Sequence, residues 1–214
     1  MPNNYGSFLE LILGKSKIYD LAMSLVGARS AKEYIAQEIN AAEGSRVLDI
    51  GCGTASILTY LPSINYIGID SNSEYISQAR TRFGGLGDFR CISVDDLHIE
   101  TSDKFDRILL LGVLHHLTDL QIQSLLEKIS DLLSSKGRLI THDGVFVHRQ
   151  NPIARLLLKL DRGRYVRYQP EYISLLSSAL TVEHSHVKTN FLRIPYSVLF
   201  TTSMVRTEKS IPQD

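Results

Sequence analysis

The sequence predicts an α/β fold, a mostly parallel sheet with helices on both faces, and three observations carry that prediction. An apolar run ends at Asp49-Ile50 and turns through Gly51-Cys52-Gly53. A second apolar run over residues 65–69 ends in Asp70. Two later runs also end in glycine-rich or acidic turns, at Gly112 and at His142-Asp143-Gly144. Strands that end this way line the carboxyl edge of an open α/β sheet, where such sheets bind ligands.

A chain of 214 residues has room for one such domain with a modest elaboration. Lys and Arg together number 23, as do Asp and Glu, so overall charge gives no pull toward nucleic acid or an anionic membrane; local patches are a separate matter. Cys52 and Cys91 have no Cys-x-x-Cys spacing, which excludes a disulfide framework and argues against zinc. His115 and His116 are adjacent and point to different faces, so they make a poor chelate, and no metal is expected. Met1-Pro2-Asn3-Asn4 lacks the basic and apolar regions of a secretion signal, and no apolar run reaches spanning length. A cytoplasmic protein without membrane insertion is expected.

Taken in order, residues 8–26 have the spacing of one or two amphipathic helices broken near Gly14, and a further helix is expected over 31–42. Tyr19 either contacts the site as part of a lid or packs at the core edge. The strand over 47–50 meets glycines because a ligand can approach bare backbone there. Ser71 and Asn72 are available to cap a helix over 74–83. A strand over 89–94 closes on Asp95-Asp96-Leu97, and one over 105–111 passes into Gly112 and a short helical turn. Thr118 caps a helix through Leu125, Ile129 and Leu132, which Gly137 is expected to end in a left-handed turn. Arg138 to His142 reads as the fifth strand. Asn151-Pro152 opens an apolar helix to Leu160, a helix follows over 170–180, and alternating runs over 182–191 and 196–205 form an antiparallel hairpin.

The run Asp49-Ile50-Gly51-Cys52-Gly53-Thr54-Ala55 resembles motif I of the class I S-adenosylmethionine-dependent methyltransferases, acid-x-Gly-x-Gly-x-Gly, with Ala55 in place of the last glycine. A nicotinamide fingerprint would need glycine where Ser56 stands. The resemblance covers roughly residues 46–143 and implies a seven-stranded Rossmann-like methyltransferase fold of order 3-2-1-4-5-7-6, with the last strand antiparallel. It implies a single domain: a helical lid (1–45), a cofactor-binding core (46–145), an acceptor cover (146–180) and a terminal hairpin (181–206). It further implies S-adenosylmethionine as cofactor. Gly51, Cys52 and Gly53 would admit it, Asp49 would orient its amino acid end, and Asp70 with Ser71 would face the ribose. Asp95, Asp96 and Leu97 would frame adenine, which aspartate reads the ring staying open, and backbone at Leu111 and Gly112 would approach the methionine end.

The expected function is methyl transfer to a small-molecule acceptor, with no nucleic acid partner; oxygen, nitrogen and carbon acceptors all stay open, an oxygen nucleophile on an anionic substrate among them. The tetrad Asn/Asp-Pro-Pro-Tyr/Phe of many base-amine methyltransferases is missing after the fourth strand. Segment 146–167 is the strongly polarised one: Arg149, Arg155, Lys159, Arg162, Arg164 and Arg167 face Asp161 alone, so Arg162, Arg164, Tyr165 and Arg167 are candidate substrate contacts. For a hydroxyl acceptor, His142 and then His116 are candidate bases, with Asp143 adjoining the first. The alternatives are a protein that binds the cofactor without transferring its methyl and, less favoured, a nicotinamide-dependent oxidoreductase. Oligomeric state is not written in the sequence.

Overall fold

In a computed structural model the described residues are 28–97, 104–160, 164–189, 191 and 195–206. The expected helices over 8–26, Tyr19 and Arg162 lie outside them. The elements are α1 (Ala28–Ile39), β1 (Arg46–Ile50), β2 (Asn65–Asp70), α2 (Ser73–Phe83), β3 (Gly87–Cys91), β4 (Phe105–Leu111), α3 (Asp119–Leu132) and β5 (Leu133–Phe146). They continue with α4 (Pro152–Leu160), β6 (Arg167–Tyr168), α5 (Gln169–Leu176), β7 (Leu180–Lys188) and β8 (Val198–Val205). Short 3-10 turns follow β1 and β4, at Ser56–Tyr60 and Leu114–His116.

The sheet runs β3-β2-β1-β4-β5-β8-β7, with the two-residue β6 beside β5. The pairings out to β4–β5 are parallel, and β8 is antiparallel to both β5 and β7. Apart from β6, this is the order the resemblance implied. Alternation along the central strands explains the layers. Leu48, Ile50, Ile108, Leu110 and Leu139 pack toward Ile122, Leu126 and Ile129 of α3 and Tyr172 of α5. Val47, Leu109, Ile140 and Phe200 belong to the other cluster, with Ile35 and Ile39 of α1 and Ile76, Ala79 and Phe83 of α2. A sheet buried on both faces reads as the near-continuous apolar runs seen in the sequence.

Local chemistry sets most boundaries. Thr118 and Gln121 form a full capping box at the start of α3. The Asn72 side chain, not Ser71, caps α2, accepting from the N–H groups of Glu74 and Tyr75. Arg107 donates to the carbonyls of Ile39 and Asn40 at 2.9 Å each, fastening the end of α1 to β4. Gly137 corrects one expectation. Helix α3 ends at Leu132 and Gly137 lies inside β5, where an added Cβ would stand 2.6 Å from the carbonyl oxygen of Phe105. Close backbone approach, rather than a left-handed turn, requires glycine there.

Candidate functional site

The glycine turn follows β1. Gly51 (φ 76°) and Gly53 (φ 55°) are left-handed, and so is Ala55 (φ 52°). The N–H groups of Gly51 and Cys52 both donate to the carbonyl of Ile69, at 2.8 and 2.9 Å, which locks the turn against β2. A Cβ on Gly51 would meet Val113 Cγ2 at 2.6 Å, whereas one on Gly53 would meet nothing within 4 Å. The first glycine is needed for packing, and the second leaves open space. At the end of β2, Asp70 is held by backbone: Oδ2 accepts from Gly53 N at 2.9 Å and Oδ1 from Asn72 N at 2.8 Å. A carboxylate has about four acceptor positions, so each oxygen keeps capacity for a further donor.

Asp49 is buried in β1, 1% exposed. Its Oδ2 accepts from the Tyr66 hydroxyl at 2.7 Å, and its Oδ1 has no hydrogen-bond partner among the described residues. Burial raises its pKa to about 7, the Tyr66 hydrogen bond opposes that rise, and the Asp70 charge adds to it. Tyr66 is a residue that sequence reasoning missed. It pairs with Val47, so it stands on the same sheet face as Asp49, and Gly68 opposite Asp49 leaves room for its ring. Burial, then the nearby Asp49 and Asp70, push the Cys52 thiol up, away from nucleophilic behaviour.

Beyond β3, Asp95 and Asp96 are exposed and Leu97 is buried. Asp95 is tied to α3, accepting from Gln121 Nε2 at 3.4 Å through Oδ1 and from Lys128 Nζ at 2.9 Å through its carbonyl. Ser71 is exposed, and its carbonyl faces the Cys91 thiol at 3.6 Å. Gly112 (φ 76°) follows the half-buried Leu111 and donates to the His142 carbonyl at 2.7 Å, joining the ends of β4 and β5.

The two sides of β5 separate the histidines. Asp49 pairs with Leu109, Leu111 lies two residues further on, and Leu111 pairs with His142, so Asp49 and His142 stand on one face. The His142 ring lies between Phe191 and Phe200, centroids at 5.5 and 5.3 Å, and its Nδ1 is buried with no partner among the described residues. Burial lowers its pKa, so the ring is neutral near pH 7. Tyr34 extends this wall: it packs edge-on against Phe200 at 5.3 Å, and its hydroxyl lies 2.9 Å from His186 Nε2. Asp143 points the other way. Its Oδ1 lies 2.7 Å from His115 Nδ1 and accepts from the His115 backbone N–H at 3.2 Å. His142 and Asp143 therefore do not act on one group. His116 is exposed, its ring 4.3 Å from that of His115.

Of the basic candidates, Arg167 is an internal pin. It is 8% exposed and donates to Asp119 Oδ1 at 2.5 and 3.0 Å and to the carbonyls of Leu114, Leu117 and Tyr165 at 3.1, 2.8 and 2.8 Å. Arg164 and Tyr165 are exposed. Among the described residues no group of three or more His, Cys, Asp or Glu side chains is placed to hold a metal ion.

Residues 48–139 match a family model described as a methyltransferase domain. The chain is 28% identical over 125 residues to the cyclopropane-fatty-acyl-phospholipid synthase of Escherichia coli K12, covering 56% of this chain and 32% of that protein. It is also 28% identical over 109 residues to a ubiquinone biosynthesis O-methyltransferase of Bradyrhizobium diazoefficiens, covering 49% and 42%. The chain thus spans a third to under half the length of these curated relatives. The crystal structure of the N-methyltransferase NodS from Bradyrhizobium japonicum WM9 with S-adenosyl-L-homocysteine has the same fold, with a TM-score of 0.67, 17% identity, and coverage of 96% of this chain and 100% of that one. The core from β1 to β5 thus carries a methyltransferase domain, and the chain has the fold of S-adenosylmethionine-dependent methyltransferases. The site fits S-adenosylmethionine: the Oδ1 of Asp49, without a partner among the described residues, suits an ammonium group, the space at Gly53 admits a ligand, and the fixed carboxylate of Asp70 suits a pair of hydroxyls.

Proposed function

We propose that the chain transfers a methyl group to the hydroxyl of a small, apolar or aromatic acceptor, and that His142 takes the acceptor's proton. The observation that carries this reading is the neutral His142 ring with its unpartnered Nδ1, set in the wall of Phe191, Phe200 and Tyr34 on the face that also presents Asp49. When bound, S-adenosylmethionine supplies an electrophilic methyl on a good leaving group. The protein's work is then alignment, water exclusion and proton acceptance. Asp49 and Asp70 hold the cofactor ends, Gly51 and Gly53 set the backbone, and the aromatic wall orients the acceptor by stacking. An anionic acceptor is favoured less than the sequence suggested, because Arg167 has its donors committed inside the protein and Arg164 alone stands exposed among the described arginines proposed as contacts.

The test is turnover to S-adenosylhomocysteine across a panel of phenols, aliphatic alcohols, carboxylates and amines, with calorimetry of cofactor binding alongside. Asp70→Ala should weaken the cofactor by roughly a hundredfold, as loss of two charge-assisted hydrogen bonds implies. His142→Gln should lower kcat on the hydroxyl acceptor by about 10²-fold or more and remove the acidic limb of the pH-rate profile, leaving cofactor affinity unchanged. Full turnover by His142→Gln would sink the base, and tight cofactor binding with no turnover on any acceptor would favour the non-catalytic alternative.

A further inference from the structure

Helix α4 buries a narrow side and presents a wide one. Ala154 and Leu158 face the body, where Leu158 Cδ2 would stand 2.7 Å from a Cβ on Gly144 of β5. Ile153, Leu156 and Leu160 are 57%, 55% and 66% exposed. With about 3.6 residues per turn these three fall within an arc of roughly 60° on the outer surface, and Arg155 and Lys159, also exposed, flank the arc on one side. Scattered exposed leucines are ordinary, but three on one arc of a nine-residue helix form a patch. The patch continues through rings: the Arg155 guanidinium lies over Phe146 at 5.4 Å, and Phe146 packs on Tyr168 at 5.7 Å, itself 43% exposed. Six cations to one acid occupy segment 146–167 of a chain whose totals are 23 and 23, and among the five of them that are described only Arg167 is buried.

We propose that this face docks on an anionic phospholipid bilayer, with α4 lying in the interface. Exposed aliphatic side chains beside arginine, lysine and tyrosine are the composition that such a helix needs: the aliphatics leave water for the acyl boundary while the cations meet lipid phosphates. A nucleic acid partner would use the cations and have no use for Ile153, Leu156 and Leu160. The helix does not span, and no helix among the described residues is long and apolar enough to cross a membrane. Because α4 packs on Gly144, two residues beyond His142, docking turns the β5 end of the sheet toward lipid. This inference does not depend on the reaction proposed above.

The test is co-sedimentation of the full chain with vesicles of phosphatidylcholine alone and of phosphatidylcholine mixed with phosphatidylglycerol, at low and high salt. The protein should bind the mixed vesicles, release in high salt, and bind the neutral ones weakly. Arg155→Glu with Lys159→Glu should weaken binding by on the order of tenfold or more. Leu156→Ser with Leu160→Ser should weaken it comparably, with thermal melting of both double variants unchanged, since all four side chains are exposed. Absence of binding to mixed vesicles at low salt would overturn the proposal, as would full binding by both double variants. A chain that ignores vesicles but self-associates, and becomes monomeric in the Leu156/Leu160 variant, would show that a second copy covers the face and would equally overturn it.

Discussion

The β1–β2 edge and the β5–β8 edge are built by different means. At the first, backbone amides and two carboxylates come together from one short stretch of sequence: Asp49, Gly51, Gly53 and Asp70. At the second, rings are assembled from α1, β5, β7, Phe191 and β8, with Tyr34 and His186 separated by 152 positions. A turn that must hold one cofactor in one pose is specified locally. The proposed acceptor wall is shape and stacking area, which many side chains can supply, so one cofactor edge can be combined with different acceptor walls.

The largest expected effect breaks the comparison at the join between the two edges. Arg167→Ala should destabilise the fold by about 2–4 kcal/mol, because it removes the donors shared by the carbonyls of Leu114, Leu117 and Tyr165 and leaves the turn after β4 short of hydrogen bonds. Arg164→Ala, at an exposed position, should change stability by less than about 0.5 kcal/mol. Chemical denaturation of both variants measures the contrast. Equal, small effects would return Arg167 to the acceptor side as a ligand contact.

That arginine also shows where sequence reasoning stops. The placement of Asp49, Asp70 and the glycines at one sheet edge is legible because strand, turn and acid lie within about 20 residues. The sheet order followed from the same pattern through the family. Arg167 and Arg164 are three residues apart and identical in type, and only the tertiary path puts one among buried carbonyls and the other in water. His142 and Asp143 read as a pair for the reverse reason. They are neighbours in sequence, but strand alternation sends one to Phe200 and the other to His115. In sequence His115 reads with His116 as a poor chelate, and no signal short of the β4–β5 register matches it to Asp143.

A middle-sized effect sharpens the comparison through pH. Asp49 has its pKa raised to about 7 in the folded protein, so between its unfolded value and 7 the native state holds the proton more firmly, and stability falls as pH rises through that window. His142 works in the opposite sense: its folded pKa is lowered, the unfolded chain takes the proton first, and stability falls as pH drops below about 6.5. Asp49→Asn should therefore be more stable than wild type by about 1–3 kcal/mol at pH 8 and should lose the downward slope toward neutral pH, while its cofactor affinity falls. Denaturation midpoints across pH 5 to 8, with calorimetry at pH 8, check both halves. A variant no more stable at pH 8 would mean that the carboxylate is satisfied without ligand.

The smallest expected effect concerns Ala55, where the sequence departs from three glycines. Its left-handed backbone (φ 52°, ψ 30°) costs an alanine roughly 1–2 kcal/mol. Ala55→Gly would relieve that cost, but it would also loosen the unfolded chain, worth about 0.4–1 kcal/mol, and remove a buried methyl worth about 0.8 kcal/mol beside Ile57 and Leu58. The terms nearly cancel, so the variant should match wild type within about 0.5 kcal/mol and bind cofactor within about twofold. Thermal melting and calorimetry on the pair decide it. A loss well above 1 kcal/mol would show that the methyl is a packing element of the α1–α2 face, whereas tighter cofactor binding at unchanged stability would show that it crowds the ligand. The first result would make Ala55 part of the scaffold, and the second would make it a residue that tunes the glycine turn.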